Sequence, residues 1–296
     1  MKKITILTLL SLITSMFLFT NAQAAFVPYE LETISDVYFG TVDSTDLYLD
    51  VIRPIGTAYE TPAIIWVHGG GWSAGTRYQE PGSEAYTLAS YGYAIVPVDY
   101  RLTPTGTLPE QIHDVRGAIR FIRAHAEEYN IDADHIAVLG SSVGGAIAYM
   151  TTLTNDDPFY FGEVGGNLDE SNEVQAGINF FGSLSVESIG ELKPSHRTKL
   201  ADALDCADVL TLDCAEELEI IDVNLLANAG DAPLYTFHGN ADLSVPYTQS
   251  VEMSADITAL GGISFLKIIP GYDHEISMMN TQIPTLKRFF KKYLGV

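Results

Sequence analysis

Three residues far apart in the chain, Ser142, Asp242 and His274, are of the types that together make a hydroxyl nucleophilic. Ser142 centres Gly140-Ser141-Ser142-Val143-Gly144, a G-x-S-x-G pattern; Ser141 cannot, because Leu139 and Val143 stand where its glycines would be. The apolar run "HIAVLG" precedes the pattern and "GGAIAYMTTL", of helical character, closes it. A serine on so tight a strand-to-helix turn needs very small neighbours. It also stands at a helix N-terminus, whose unpaired N–H groups can meet a developing oxyanion. The bare pattern is weak, and its strand-turn-helix setting gives it weight. A serine is a poor nucleophile until a base takes its proton, and that base needs an acid to hold its tautomer. His274, in "IPGYDHE" after the last apolar strand, has the position of the base. Of the others, His113 and His125 fall on a predicted helix, His135 opens a strand, and His196 lies in an insertion. His68 and His238 belong to strand-end His-Gly pairs. The acid should lie between serine and histidine in the chain. Asp242, in "FHGNADLSVP", follows a strand; Asp231 precedes that strand and belongs at the far edge of the sheet, and Asp256 on a helix surface.

A second stretch serves the same chemistry. "HGGGW", residues 68–72, directly follows the apolar run "PAIIWV". Consecutive glycines let the backbone turn its amides inward, so Gly70 and Gly71, with the N–H of Val143 after the nucleophile, are the expected oxyanion donors. Trp72 is the expected substrate contact, and His68 a structural hydrogen-bonding residue of the loop.

The elements that must position these residues are legible as alternating apolar runs and amphipathic segments, the pattern of an α/β sheet with helices on both faces. "PAIIWVH", "YAIVPVDY", "HIAVLG", "VQAGINFFG", "APLYTFHG" and "SFLKIIPG" read as strands, several continuous enough to be buried on both faces. Residues 111–129 have helical spacing, with Ile112, Val115, Ile119 and Ile122 on one face. Helices are also expected over 251–260 and 284–293, and residues 155–173 read as an exposed loop. Residues 183–231 are too long for a simple crossover and read as a helical, cap-like insertion ahead of the acid-bearing strand.

The chain order Ser142, Asp242, His274 resembles that of α/β-hydrolases. "HGGGW", "VDYRLTP", "DVRGAIRFIRAHAEEYNID", "GSSVGG", "HGNADLSVP" and "PGYDHE" are together similar to the BD-FAE family, the bifunctional feruloyl and acetylxylan esterase-like proteins. The resemblance implies a mostly parallel α/β-hydrolase sheet and a serine esterase using the residues named above. It also implies short-chain or aryl esters as substrates, among them acetyl or feruloyl esters of plant polysaccharide. Hormone-sensitive-lipase-like esterases share HGGG but usually show GDSAGG where this chain has "GSSVGG". Two rival readings are a prolyl-oligopeptidase-like peptidase, for whose propeller the chain has no room, and a binding protein on a catalytically dead scaffold, which would have lost triad or oxyanion residues, whereas none is missing here.

Residues 1–24 read as a secretory signal peptide: Met1-Lys2-Lys3, an apolar core, then Ala22-Gln23-Ala24 as the cleavage site. The remaining 25–296 would form the hydrolase domain, periplasmic or secreted, with no membrane anchor after cleavage. Cys206 and Cys214, the only two cysteines, are expected to pair there. The net charge of −22 disfavours nucleic acid, anionic lipid and strongly acidic substrates, leaving a small neutral ester or an oligosaccharide ester as the expected partner. The chemistry calls for no metal and no organic cofactor.

Overall fold

Runs such as "PAIIWV" and "YAIVPV" are apolar at every position because both sides of the strand are covered. The computed structural model describes residues 27–295, so the leader expected over 1–24 lies outside them. Its strands are β1 (Leu31–Val42), β2 (Thr45–Pro54), β3 (Thr61–Val67), β4 (Ala94–Val98), β5 (Ile131–Ser141), β6 (Ala176–Phe180), β7 (Leu234–Gly239) and β8 (Ser264–Ile269). They form one sheet in the order β1-β2-β4-β3-β5-β6-β7-β8. The β1–β2 and β2–β4 pairs are antiparallel and all others parallel. This is the arrangement of an α/β-hydrolase, as expected.

The helices are α1 (Glu84–Ala89), α2 (Glu110–Ala124), α3 (Ala126–Tyr129), α4 (Val143–Leu153), α5 (Pro194–Ala203), α6 (Ala215–Leu218), α7 (Val223–Leu226), α8 (Thr248–Ala259) and α9 (Met278–Tyr293). Alternation along the strands divides the interior into two cores. Ala63, Ile65 and Val67 of β3 join Ile112, Ile119, Ile147 and Ile257 from α2, α4 and α8. Ile64 and Trp66 face the other way, toward Leu88 of α1 and Met278, Leu286 and Phe290 of α9. Among the described residues no helix is long and apolar enough to cross a membrane.

The structure departs from the expected boundaries in four places. The helix over 111–129 breaks at His125, whose backbone leaves helical geometry (φ −112°, ψ 18°), giving α2 and α3. The 251–260 helix starts three residues earlier, at Thr248. The last helix starts at Met278, so Pro284 lies inside α9 instead of opening it. The loop 155–173 is not merely exposed: Tyr160 and Val164 are buried, and three arginines of α2 hold its carbonyls. Arg116 donates to Asn172 O at 2.9 Å, and to Thr151 O and Thr154 O on α4 and its end at 2.9 and 2.7 Å. Arg120 donates to Phe161, Val164 and Gly166 carbonyls, and Arg123 to those of Ser171 and Glu173. Their spacing of four and three residues puts all three on one helix face.

The 183–231 segment runs from the end of β6 to β7, and α5, α6 and α7 lie within it. Leu192, Leu200, Leu204, Ile221 and Val223 enter the same core as α2 and α4. Leu108 N donates to Ala203 O (2.7 Å), while Tyr160 and Tyr149 hydroxyls donate to Ile220 O and Ile221 O. Cys206 and Cys214 are disulfide-bonded, with Cα atoms 5.5 Å apart.

Candidate active site

β3, β5, β7 and β8 run parallel, so their C-terminal ends open on one edge of the sheet, where α/β folds place their ligand sites. The turn from β5 to α4 is the tightest. Ser142 sits at φ 55°, ψ −126°, a conformation that non-glycine residues rarely adopt and that occurs mainly where surrounding structure enforces it. Two glycines explain why. A Cβ on Gly140 would lie 2.1 Å from Gly144 O, and one on Gly144 would lie 2.1 Å from Val67 O. Elbow and neighbouring strand therefore approach backbone to backbone. Ser142 N donates to Phe180 O of β6 (2.9 Å), and Ala146 N donates to Ser142 O (3.0 Å), which starts the helix.

The loops after β7 and β8 are laced together. Ala241 N donates to Tyr272 O, Asn240 N to Ile269 O, and Gly271 N to Asn240 Oδ1. One oxygen of Asp273 accepts both Leu243 N and His274 N at 2.8 Å. These bonds bring Asp242 and His274 together. His274 Nδ1 lies 2.7 Å from Asp242 Oδ2, and Nε2 lies 2.9 Å from Ser142 Oγ. With Nδ1 protonated and donating to the carboxylate, Nε2 is left to accept the serine proton. The Phe181 ring packs on the imidazole with centroids 4.4 Å apart.

The Asp242 side chain is wholly buried, with four donors on its two oxygens. Oδ1 accepts Ser244 N (2.7 Å) and Val245 N (2.9 Å); Oδ2 accepts His274 Nδ1 and His238 Nε2 (3.1 Å). Burial pushes the carboxyl pKa up, but the His238, His274 and backbone donors outweigh it and hold Asp242 well below the usual carboxylate range. His238 is equally buried. Its Nε2 also reaches Val245 O (3.0 Å), an acceptor only, so Nε2 carries a proton; Nδ1 then accepts from Ser250 Oγ at 2.6 Å. Ser250 in turn accepts from Ser183 Oγ (2.7 Å), and Ser183 from Asn179 Nδ2 (2.8 Å). A fully buried polar chain thus ends on Oδ2 of Asp242, the same oxygen that His274 bonds. Asp231 lies at the opposite edge, where it accepts from Asn228 N and Nδ2; burial raises its pKa to about 6.

The glycine loop faces the same space. Trp72 O accepts from Thr103 N (3.0 Å) and Gln111 Nε2 (3.3 Å), which pins the loop's far end. His68 serves the loop alone: Nδ1 bonds Gly69 O at 2.7 Å and the ring stacks on Tyr100, whose hydroxyl donates to His68 O. Gly70, Gly71, Trp72 and Val143 line a cavity of about 240 Å³ with Ser142 and His274 at its wall. Val143 N is an orphan donor of the α4 N-terminus. The 183–231 segment closes the cavity with Leu184, Leu192, His196, Lys199 and Leu200.

Ser142, His274, Gly70, Gly71, Val143 and Trp72 therefore line one cavity, with Asp242 buried behind His274, while Cys206 and Cys214 lie beyond its lining. Sequence reasoning missed His238 and Asp273. The first stands four residues before Asp242 in "HGNAD", where the sequence shows only a strand-end His-Gly pair, and the second directly before His274. Among the described residues no cluster of three or more His, Cys, Asp or Glu could hold a metal ion.

The BD-FAE family model matches residues 49–257. The probable carboxylic ester hydrolase LipM of Mycobacterium tuberculosis is 28% identical over 66% of this chain and 44% of its own length. The chain spans about half the length of such curated relatives. A truncated carbohydrate esterase from gut microbiota superposes with a TM-score of 0.75, at 23% identity, over 91% of this chain and 98% of that one. Esterase 2 of Thermogutta terrifontis phosphonylated by sarin does so with a TM-score of 0.67, at 22% identity, over 89% and 94%.

Proposed function

The chain belongs to the BD-FAE family, and from that premise we propose that it is a serine carboxylic-ester hydrolase acting through an acyl-enzyme. The observation that carries the reading is the continuous chain Ser142 Oγ, His274, Asp242 at the wall of the cavity, with contacts of 2.9 and 2.7 Å. Ser142 Oγ attacks the ester carbonyl as its proton passes to His274 Nε2. The tetrahedral oxyanion is met by the N–H groups of Gly70, Gly71 and Val143. His274 then returns the proton to the leaving alcohol, and water repeats the sequence to release the acid. Asp242 keeps the imidazole in the tautomer that can accept from serine and stabilises its cation.

Relatives described as carboxylic ester hydrolases support the activity, and a fold neighbour phosphonylated by sarin supports a reactive nucleophile. The cavity, about 240 Å³ and walled by Trp72, Leu184, Leu192 and Leu200, suits short acyl groups. The carbohydrate esterase among its fold neighbours supports an ester borne on a saccharide, acetyl or feruloyl in the expected case. The leader-like residues 1–24 and the Cys206–Cys214 bond support a protein that works outside the cytoplasm, with 183–231 as a cap over the site. The test is a panel of p-nitrophenyl esters of increasing acyl length with acetylated and feruloylated xylo-oligosaccharides. Acetyl to butyryl esters should be cleaved and long acyl chains poorly. Failure to cleave any ester refutes the reading.

A further inference from the structure

The cavity beside Ser142 differs in charge from the rest of the molecule. Acidic residues outnumber basic ones 38 to 16 along the chain, yet no Asp or Glu lines this cavity, and Lys199 does. The basic residues of the 183–231 segment, Lys193, Arg197 and Lys199, all fall within one stretch around α5. Arg197 is occupied by the carbonyls of Gly190 (2.9 Å) and Leu192 (2.8 Å). His196 is tied to Ser244 O at 2.9 Å. Lys199 has no hydrogen-bond or ion-pair partner among the described residues. Its side chain lies along the glycine loop, so that a methyl group placed on Gly71 would stand 2.8 Å from Nζ and 3.0 Å from Cδ. Gly71 is a proposed oxyanion donor, and the ammonium therefore stands beside the place of the scissile carbonyl.

We propose that Lys199 recognises a carboxylate carried by the ester substrate close to its scissile carbonyl, so that the enzyme prefers monoanionic esters to neutral ones of the same shape. The proposal rests on the ester-hydrolase reading above. The overall charge of the chain argues for neutral substrates, but that field is screened beyond about 8 Å at physiological ionic strength. Lys199 acts at contact distance, across a cavity whose other walls include Trp72, Leu192, Leu200 and Val245. A single substrate carboxylate therefore feels the lysine more than the distant surface acids, whereas a polyanion spread over that surface does not.

The carboxylate can sit on the acyl or the alcohol side of the ester, and two matched pairs separate the cases. Monoethyl succinate against ethyl butyrate probes the acyl side; acetoxyacetate against propyl acetate probes the alcohol side. For each pair the ratio of kcat/KM, anionic over neutral, is measured by pH-stat titration in wild type, Lys199→Met and Lys199→Glu. Lys199 is solvent-exposed on α5, so both variants should fold, which circular dichroism checks. In one pair the ratio should fall about tenfold in Lys199→Met and further in Lys199→Glu, as the loss and then the reversal of a close charge require. Ratios within about twofold of wild type in both variants and both pairs would overturn the proposal. Wild-type protein that cleaves none of the four esters would instead refute the ester-hydrolase reading, and this proposal with it.

Discussion

His238 offers the sharpest probe of how Asp242 is held, because it touches the carboxylate but not the cavity. Replacing it with Phe keeps a flat ring in a fully buried site and removes three polar contacts at once. Val245 O loses its Nε2 donor, Ser250 Oγ loses its acceptor, and Asp242 Oδ2 keeps only His274. The unpaired groups, one fully buried at Ser250 and one half-buried at Val245, at about 1–3 kcal/mol each, should together lower stability by about 2–6 kcal/mol. For catalysis, Asp242 loses one donor of four. A hydrogen bond to a charged group is worth about 1.5–3 kcal/mol, and if that is felt in the transition state kcat falls by about ten- to a hundredfold. KM should change little, since no side chain lining the cavity is replaced. His238→Gln extends an amide N–H toward the Nε2 position and should recover most of the loss. The assay is kcat and KM for p-nitrophenyl acetate across pH, with thermal melts of each variant. A folded His238→Phe protein with wild-type kcat and an unchanged pH profile would refute the positioning role.

Asp242→Asn should lower kcat by about 10³–10⁴ while Asp231→Asn changes it little, and equal losses would contradict the assignment of the acid. Asp242 also stabilises the fold. Its depressed folded pKa means this contribution is fully present above the unfolded value of about 3.9 and is lost as pH falls toward the folded value, so acid melts of Asp242→Asn should depend less steeply on pH in that window. Arg116→Met should cost about 3–5 kcal/mol in urea unfolding, because it strips a buried cation from the carbonyls of Thr151, Thr154 and Asn172. Cys206→Ser/Cys214→Ser should lose about 2–3 kcal/mol, since a loop this short constrains the unfolded chain only modestly. That variant should still react with a fluorophosphonate, and its KM should change more for bulky esters than for acetyl esters.

The sheet was legible because buried parallel strands must be apolar throughout, and the elbow because so close a backbone approach admits only glycine. Ser142, Asp242 and His274 were legible for a related reason: each stands just past a strand end, where side chains can converge from distant parts of the chain. Other features depend on loop meeting loop, which no local pattern encodes. Asp273 joins two loops by accepting from the amides of Leu243, 30 residues before it in the chain, and of His274 next to it. His238 shows only as half of a strand-end His-Gly pair, because its partner Ser250 lies on the next helix. A proline at 284 reads locally as a helix start, yet the packing of Met278, Met279 and Ile283 against the sheet begins α9 six residues before it. The carbonyls that hold the arginines of α2 come from the loop 155–173, whose path back over the helix no helical spacing encodes. Lys199 could not be placed at the cavity without knowing where the 183–231 segment folds back.

The central claim is that Ser142, and not its neighbour, is the nucleophile, and covalent labelling tests it most directly. Wild-type protein, Ser142→Ala and Ser141→Ala are treated with a fluorophosphonate and the modified peptide is fragmented in a mass spectrometer. The account predicts an adduct on Ser142 in the wild type and in Ser141→Ala, and none in a folded Ser142→Ala that has also lost ester hydrolysis. An adduct on Ser141, or hydrolysis that survives Ser142→Ala, would contradict it.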